Sequence, residues 1–129
     1  MGGALVHGWC KAGLASQLTI TARTQSTLDR FLDLYPQLTA TTDNVQAVTG
    51  ADIVFIAVKP WLVDEVMDQI KLPLRASNAL VVSVAAGVRN ARINVYAMPN
   101  IAVEYGAGMT FIEELDRPSV LIDEVVRLF

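Results

Sequence analysis

Ile53-Val-Phe-Ile-Ala-Val58 is an unbroken apolar run, closed by Lys59-Pro60. A strand with one wet face alternates polar and apolar residues. A strand with none is dry on both faces, as in a parallel sheet covered by helices on each side. Val63, Val66, Met67 and Ile70 follow at helical spacing. Ala79-Leu-Val-Val-Ser-Val-Ala85 then repeats the doubly buried pattern. Strand, helix and strand in this order predict an α/β fold with a doubly wound, mainly parallel sheet.

The same alternation extends in both directions. Upstream, residues 3–12 set Leu5, Gly8, Trp9 and Ala12 on one helical face, with Gly13 as the C-cap. Leu18 to Ala22 reads as a short strand. Ser26 with Asp29 has the form of a capping box, followed by Leu28, Phe31, Leu32 and Tyr35 on one stripe. Leu38 to Thr42 reads as a second strand, and Asp43 with Gln46 as a second capping box, for a helix that stops at Gly50. Downstream, Ile93 to Ala97 is a further strand, and Tyr105 to Ile112 is extended at its end. Pro118 stands near the start of a final helix, whose Leu121, Val125, Leu128 and Phe129 are expected to pack on the sheet. No repeat or linker interrupts the chain, so residues 1–129 are expected to form one domain.

Two features depart from a full doubly wound sheet, and the fold is expected to be incomplete. The first helix begins at Met1-Gly2-Gly3, with no central strand ahead of it. The strands ending near Ala85 and starting near Ile93 are separated by about seven residues. A parallel crossover usually needs roughly a dozen. Either those strands are not parallel neighbours, or residues present in a parent sequence are absent here.

Composition narrows the function. Apolar residues make up 53% and charged residues 18%, which excludes a disordered chain. The balance of 10 Lys+Arg against 13 Asp+Glu gives no basic footprint for nucleic acid. Cys10 is the single cysteine, so an internal disulfide is excluded; with one histidine, a zinc site is not expected and no metal is assigned. The apolar runs fall far short of the roughly 18–20 residues that span a bilayer, and no signal peptide is visible. A cytoplasmic location without membrane contact is the expectation.

Open α/β sheets bind ligands at the carboxyl ends of their strands. Those ends read Thr21-Ala-Arg-Thr-Gln-Ser26, Ala57-Val-Lys-Pro60, Ala85-Ala-Gly87 and Met98-Pro-Asn100, the last followed by Gly106-Ala-Gly-Met-Thr110. Small residues dominate and let backbone approach a flat ligand. Each such end also serves for a tight strand–helix turn; four together favour a nucleotide cleft. No Ser/His/Asp set, carboxylate pair or metal motif accompanies them. His7 and Cys10 read as structural, and Trp61 as a packing residue at a helix start.

These residues also carry a resemblance. Met-Gly-Gly-Ala-Leu opening a helix, Asp43-Asn44, Ala-Asp-Ile-Val-Phe-Ile-Ala-Val-Lys-Pro, Val-Ser-Val-Ala-Ala-Gly-Val, Met-Pro-Asn and Gly-Ala-Gly-Met-Thr occur in that order. The series resembles the N-terminal, NADP-binding Rossmann domain of pyrroline-5-carboxylate reductase. Of that family's Gly-x-Gly-Asn-Met-Gly loop only Met1-Gly2 stands here. The C-terminal helical domain, which in the family builds the dimer and most of the imine pocket, has no counterpart in these residues.

The resemblance implies NADP, as NADPH, for the cofactor, with NAD as the other nicotinamide the fold admits. Met1 and Gly2 would cover the pyrophosphate at a helix N-terminus. Arg23 and Thr24 would meet the adenosine 2′-phosphate, and Asn44 would bond near the adenosine. Ala57, Val58, Lys59 and Pro60 would line the cofactor. Ala85, Ala86 and Gly87 would pass beneath the nicotinamide, and Asn100 and Thr110 would face the interdomain cleft. Counting from Gly2, the position that selects between the two nicotinamides falls in Thr21 to Gln25, which holds Arg23 and no acid. The implied reaction is hydride transfer to the C=N carbon of a cyclic imine, giving proline, in a homo-oligomeric parent. No residue here is assigned to catalysis, because an iminium accepts hydride without a strong protein acid. Two other readings stay open: another NADP-dependent oxidoreductase, acting on a deazaflavin or a hydroxy acid, and a non-catalytic nucleotide-binding fragment.

Overall fold

The computed structural model describes residues 1–114 and 120–129. Among the described residues there are six α-helices and six strands, alternating through β3. The first half holds α1 (Gly2–Lys11), β1 (Thr19–Thr21), α2 (Gln25–Leu34), β2 (Thr39–Thr41) and α3 (Asn44–Val48). The second half holds β3 (Ile53–Ile56), α4 (Val63–Gln69), α5 (Lys71–Ala76), β4 (Leu80–Ser83), β5 (Val95–Met98), β6 (Phe111–Glu114) and α6 (Ile122–Arg127). The strands and helices read from the sequence up to the strand after Ala79 are found in that order, with one further helix, α5, between α4 and β4. Pro118, expected near the start of the last helix, lies outside the described residues.

The strands form two sheets. β1 and β2 pair in parallel, Ile20 opposite Ala40. The second sheet has the order β3-β4-β5-β6; β3, β4 and β5 are parallel, and β6 returns antiparallel to β5. The pleat divides its apolar residues between two cores. Val54, Ile56 and Val81 point to one face, where Val63, Met67 and Ile70 of the α4 segment cover them. Leu80, Val82, Val95 and Ala97 point to the other and meet Val125 of α6. Val63, Met67 and Ile70 are fully buried, each contributing about 1.5–3 kcal/mol of transfer free energy. This double cover is why β3 and β4 carry no polar alternation. The terminal stripe packs on the sheet as expected: Val125 is buried, and Leu128 accepts a 2.7 Å hydrogen bond from the Trp9 indole at its carbonyl.

α1 ends in a Schellman turn. Gly13 has φ +85°, its N–H donates to the Cys10 carbonyl, and the Leu14 N–H reaches back to the Trp9 carbonyl. Asp43 caps α3, its carboxylate accepting from Val45 N and Gln46 N. Gln46 does not close the box; its carbonyl oxygen takes the Thr41 hydroxyl instead. The box expected at Ser26 and Asp29 does not form. Thr24 is the N-cap of α2, and Asp29 accepts from the Gln25 amide, one helical turn away. α5 was not legible in the sequence. It starts at once after Ile70 and holds Pro73 in its first turn, where a missing N–H costs nothing.

The close spacing of β4 and β5 has a specific solution. They are parallel neighbours, with Val82 opposite Val95, joined by residues 84–94 without a helix. Side chains pin this connection in a helix's place. Arg92 donates to the Met67 carbonyl at 2.7 Å and pairs with Asp68 at 2.9 Å. Asn90 bonds Asp64, and its N–H donates to the Tyr96 hydroxyl. Asn94 accepts the Val81 N–H.

Among the described residues, the two sheets are not hydrogen-bonded to each other. Between β1 and β3 lies a groove of about 850 Å³, lined by both strands and by residues of α1, α2, α3 and the α4 segment.

Candidate functional site

The expected site residues lie at strand ends and helix starts: Gly2, Asn44, Ala57 and Val58 line the groove, Ala85, Ala86 and Gly87 line a second, smaller cavity, and Met1, Arg23, Thr24, Lys59, Pro60 and Asn100 line neither. The first N–H groups of α1 have no intrahelical acceptor, and no acidic side chain stands in its first turn. That helix start is seated on the end of β3: a Cβ at Gly2 would meet the Ala57 Cβ at 3.1 Å. A side chain here would be tighter than most real contacts and would press α1 back by a few tenths of an ångström. Ala57 and Val58 are half-buried and border the groove. Lys59 is exposed, and Pro60 begins a short 3₁₀ turn. Trp61, expected to pack, lies in that turn and is 76% exposed.

After β1 the chain presents Ala22, Arg23 and Thr24. Arg23 is exposed and makes no ion pair among the described residues. Three hydroxyls gather at the adjoining start of α2: Thr24 Oγ1 lies 2.9 Å from Thr27 Oγ1, and Ser26 Oγ donates to Thr24 Oγ1 at 3.3 Å. The first turn of α2 also lacks an acid. Guanidinium, hydroxyls and helix N-terminus together suit an anion. Thr27 was missed in the sequence, and only the three-residue helical spacing from Thr24 signals it.

Asn44 opens α3 and bridges elements. Its carbonyl oxygen accepts the Thr21 hydroxyl at 2.9 Å, and its amide donates to Gln69 at 2.9 Å. Asn44 thus ties the ends of β1 and α4 and keeps one N–H for a further partner. Met1 is the N-cap of α1, and its carbonyl accepts the Leu5 N–H.

At the end of β4, Ser83 is a buried polar residue whose hydroxyl accepts the Ala85 N–H. Ala86 and Gly87 are exposed, and Gly87 has φ +73°. These residues line a small cavity of about 120 Å³ with Tyr96, Met98 and Glu113. Arg89 crosses its mouth, 2.9 Å from Glu113 and 4.8 Å above the Tyr96 ring. Donating a hydrogen bond to the Glu113 carboxylate, beside that negative charge, raises the Arg89 pKa, so the guanidinium stays charged. Neither Arg89 nor Glu113 was singled out from the sequence, since the pair forms across 24 residues of chain. Asn100 caps the 3₁₀ turn at Ile101–Tyr105 and accepts the Ala102 N–H. A side chain at Gly108 would collide with Asn100.

His7 and Cys10 line neither cavity. His7 Nδ1 is 3.0 Å from the Tyr35 hydroxyl, and its ring packs on Phe31. Cys10 is buried, which pushes its thiol pKa up. Among the described residues, no group of three or more His, Cys, Asp or Glu is placed to hold a metal, and no helix is long and apolar enough to cross a membrane.

A parallel sheet with helices on both faces and open glycine- and alanine-rich strand ends defines a Rossmann-like α/β fold. Residues 1–87 match the family described as NADP oxidoreductase, coenzyme F420-dependent, and the chain belongs to that family. The chain is also similar to pyrroline-5-carboxylate reductases. That of Corynebacterium melassecola is 34% identical over 124 residues, spanning 87% of this chain and 46% of the relative. That of Vibrio alginolyticus is 35% identical over 120 residues, spanning 83% and 42%. Among solved structures, a pyrroline-5-carboxylate reductase from Coxiella burnetii superposes with a TM-score of 0.86 at 27% identity, over 97% of this chain and 50% of that one. The Plasmodium falciparum enzyme, solved with NADP bound, shares the fold with a TM-score of 0.78 at 22% identity, over 98% and 48%. The chain therefore spans about half the length of the relatives it matches.

Proposed function

We propose that residues 1–129 are the NADPH-binding domain of a pyrroline-5-carboxylate reductase, a cytoplasmic, homo-oligomeric enzyme of proline biosynthesis. The observation that carries this reading is the unpaired Arg23 beside the Thr24, Ser26 and Thr27 hydroxyls at the start of α2. A 2′-phosphate needs a planar cation and hydroxyl donors on an acid-free helix start. The names of the relatives support the same reading.

The residues present fit the cofactor. Gly2 leaves the α1 N-terminus close to the end of β3, where N–H groups would receive the pyrophosphate. Asn44 has a spare amide N–H for the adenosine side. Ala57 to Pro60 and Ala85 to Gly87 offer backbone and small side chains along the dinucleotide. Asn100 marks the side where a further domain closes the imine pocket. The cofactor supplies the hydride, and the imine carbon receives it. Arg23 and the helix starts hold charge in place and fix which end of the cofactor faces the substrate.

A second reading has one observation in its favour: the family description names coenzyme F420, so a deazaflavin is the competing hydride partner. The discriminating experiment supplies NADPH with either pyrroline-5-carboxylate or oxidised F420 to the longest natural polypeptide that carries this sequence. Imine-dependent NADPH oxidation supports the proposal. Oxidation with F420 alone overturns it.

A further inference from the structure

We propose that Gly8 and Gly108 are positioning residues for Asn100. Each forgoes a side chain, so that the turn after β5 seats on α1 with the Asn100 amide held in one place. The inference rests on the reading of Asn100 as a residue of the cleft where imine meets cofactor.

Helix and turn meet main chain to main chain. The 3₁₀ turn Ile101–Tyr105 follows β5 and packs along α1. Ala4, Leu5 and Trp9 of α1 form one buried cluster with Val103. Gly8 lies on the same face, and a Cβ there would collide with the Val103 carbonyl oxygen. The obstacle is backbone, so no change of rotamer relieves it. Glycine inside a helix is unfavourable relative to alanine, yet α1 keeps one where the turn comes closest. Lys11 fastens the far end of the turn. Its ammonium donates to the Glu104 carbonyl at 3.3 Å and stands 4.5 Å above the Tyr105 ring.

Asn100 is fixed from both sides. Its Oδ1 accepts the Ala102 N–H at 3.0 Å, which caps the turn. A Cβ at Gly108 would collide with that same oxygen and lie 3.1 Å from the amide nitrogen. The side chain is nevertheless exposed, and its amide N–H groups have no acceptor among the described residues. Unspent donors held in a fixed place are preorganised for a bound group. Between helix and turn, the turn is the part that yields. α1 is anchored by buried Leu5 and Trp9 and by the Trp9 bond to the Leu128 carbonyl, whereas only Val103 of the turn is buried. A Cβ at Gly8 therefore displaces the turn, and Asn100 with it, and leaves the helix start at Gly2 in place.

The test uses the longest natural polypeptide that carries this sequence, with NADPH and pyrroline-5-carboxylate. Gly8→Ala and Gly108→Ala are made alone and each in combination with Asn100→Ala. Each glycine variant alone is expected to lower kcat about tenfold and to leave the NADPH dissociation constant within about twofold. In the Asn100→Ala background each is expected to add less than about twofold, because changes that act through one residue are not additive. Should Gly8→Ala not fold, Gly108→Ala, in an exposed stretch, decides by the same comparison. Equal losses in both backgrounds would mark plain structural damage and overturn the proposal, as would undiminished kcat in the glycine variants. A parent that does not reduce the imine overturns the functional reading and this inference with it; an active parent with additive losses overturns this inference alone.

Discussion

Gly2 and Ala57 are in such close approach that a Cβ at position 2 would meet the Ala57 Cβ at 3.1 Å. This contact fixes where the α1 N-terminus sits relative to β3. Gly2→Ala needs a shift of a few tenths of an ångström, and its thermal midpoint is expected to stay near that of the parent. Gly2→Val adds branches that force the helix start outward. Its NADPH affinity is expected to fall roughly tenfold, a change of about 1.4 kcal/mol. Titration of both variants by calorimetry checks this, and unchanged affinity in Gly2→Val removes α1 from the site.

Arg92 takes over the anchoring that a crossover helix usually provides. It donates to the Met67 carbonyl and to Asp68 with one planar fork. Arg92→Ala loses both and leaves the Met67 carbonyl short of a partner. With the side chain 37% exposed, solvent screens part of the loss. A destabilisation of about 1–2 kcal/mol is expected in urea unfolding. Arg92→Lys keeps the charge but not the fork and is expected to recover less than half. Full recovery by Lys would show that charge alone matters.

Alkaline pH is expected to destabilise the fold. Burial pushes the Cys10 thiol up from its ordinary 9.0. Burial, and then the neighbouring Cys10 and Glu104 charges, push the Tyr35 hydroxyl up from 10.0. Both groups are neutral in the folded chain, and folding favours the neutral form. Their contribution is therefore complete below the ordinary values and is lost as pH rises through the raised ones. The thermal midpoint is expected to hold to about pH 9 and to decline above it. Cys10→Ala is expected to flatten the early part of that decline, and an identical pH profile in the variant would refute the assignment.

Trp61 was expected to pack and is exposed, so its removal is expected to cost little. Trp61→Ala is predicted to change stability by no more than about 0.5 kcal/mol in denaturant unfolding. A loss above about 2 kcal/mol would show that its ring covers apolar surface.

The legible parts of this fold are those written in local periodicity. The runs from Ile53 and Ala79 announced doubly buried strands, and Val63, Met67 and Ile70 announced the helix that covers one face. The strand ends followed at once, because each simply follows its strand in the chain. What was not legible depends on distant partners. The sequence gives Arg92 no sign that it reaches Met67 and Asp68, so the short link between parallel β4 and β5 looked like an obstacle. The α2 start was misread because Asp29, three residues after Ser26, answers Gln25 instead. At the candidate site, Arg23 was readable from spacing. The Thr27 hydroxyl and the Arg89–Glu113 pair required the helix turn and the antiparallel β6 to bring them in.

Arg23 tests the central claim most directly. It is the exposed, unpaired cation beside three hydroxyls, with no acid from Thr21 to Gln25. A charged hydrogen bond to phosphate is worth about 1.5–3 kcal/mol. The decisive measurement is the dissociation constants of NADPH and NADH for the longest natural polypeptide that carries this sequence and for its Arg23→Ala variant, side by side. The account predicts that Arg23→Ala weakens NADPH by about 10- to 150-fold and leaves NADH nearly unchanged. Equal losses for the two cofactors, or no loss for either, would contradict it.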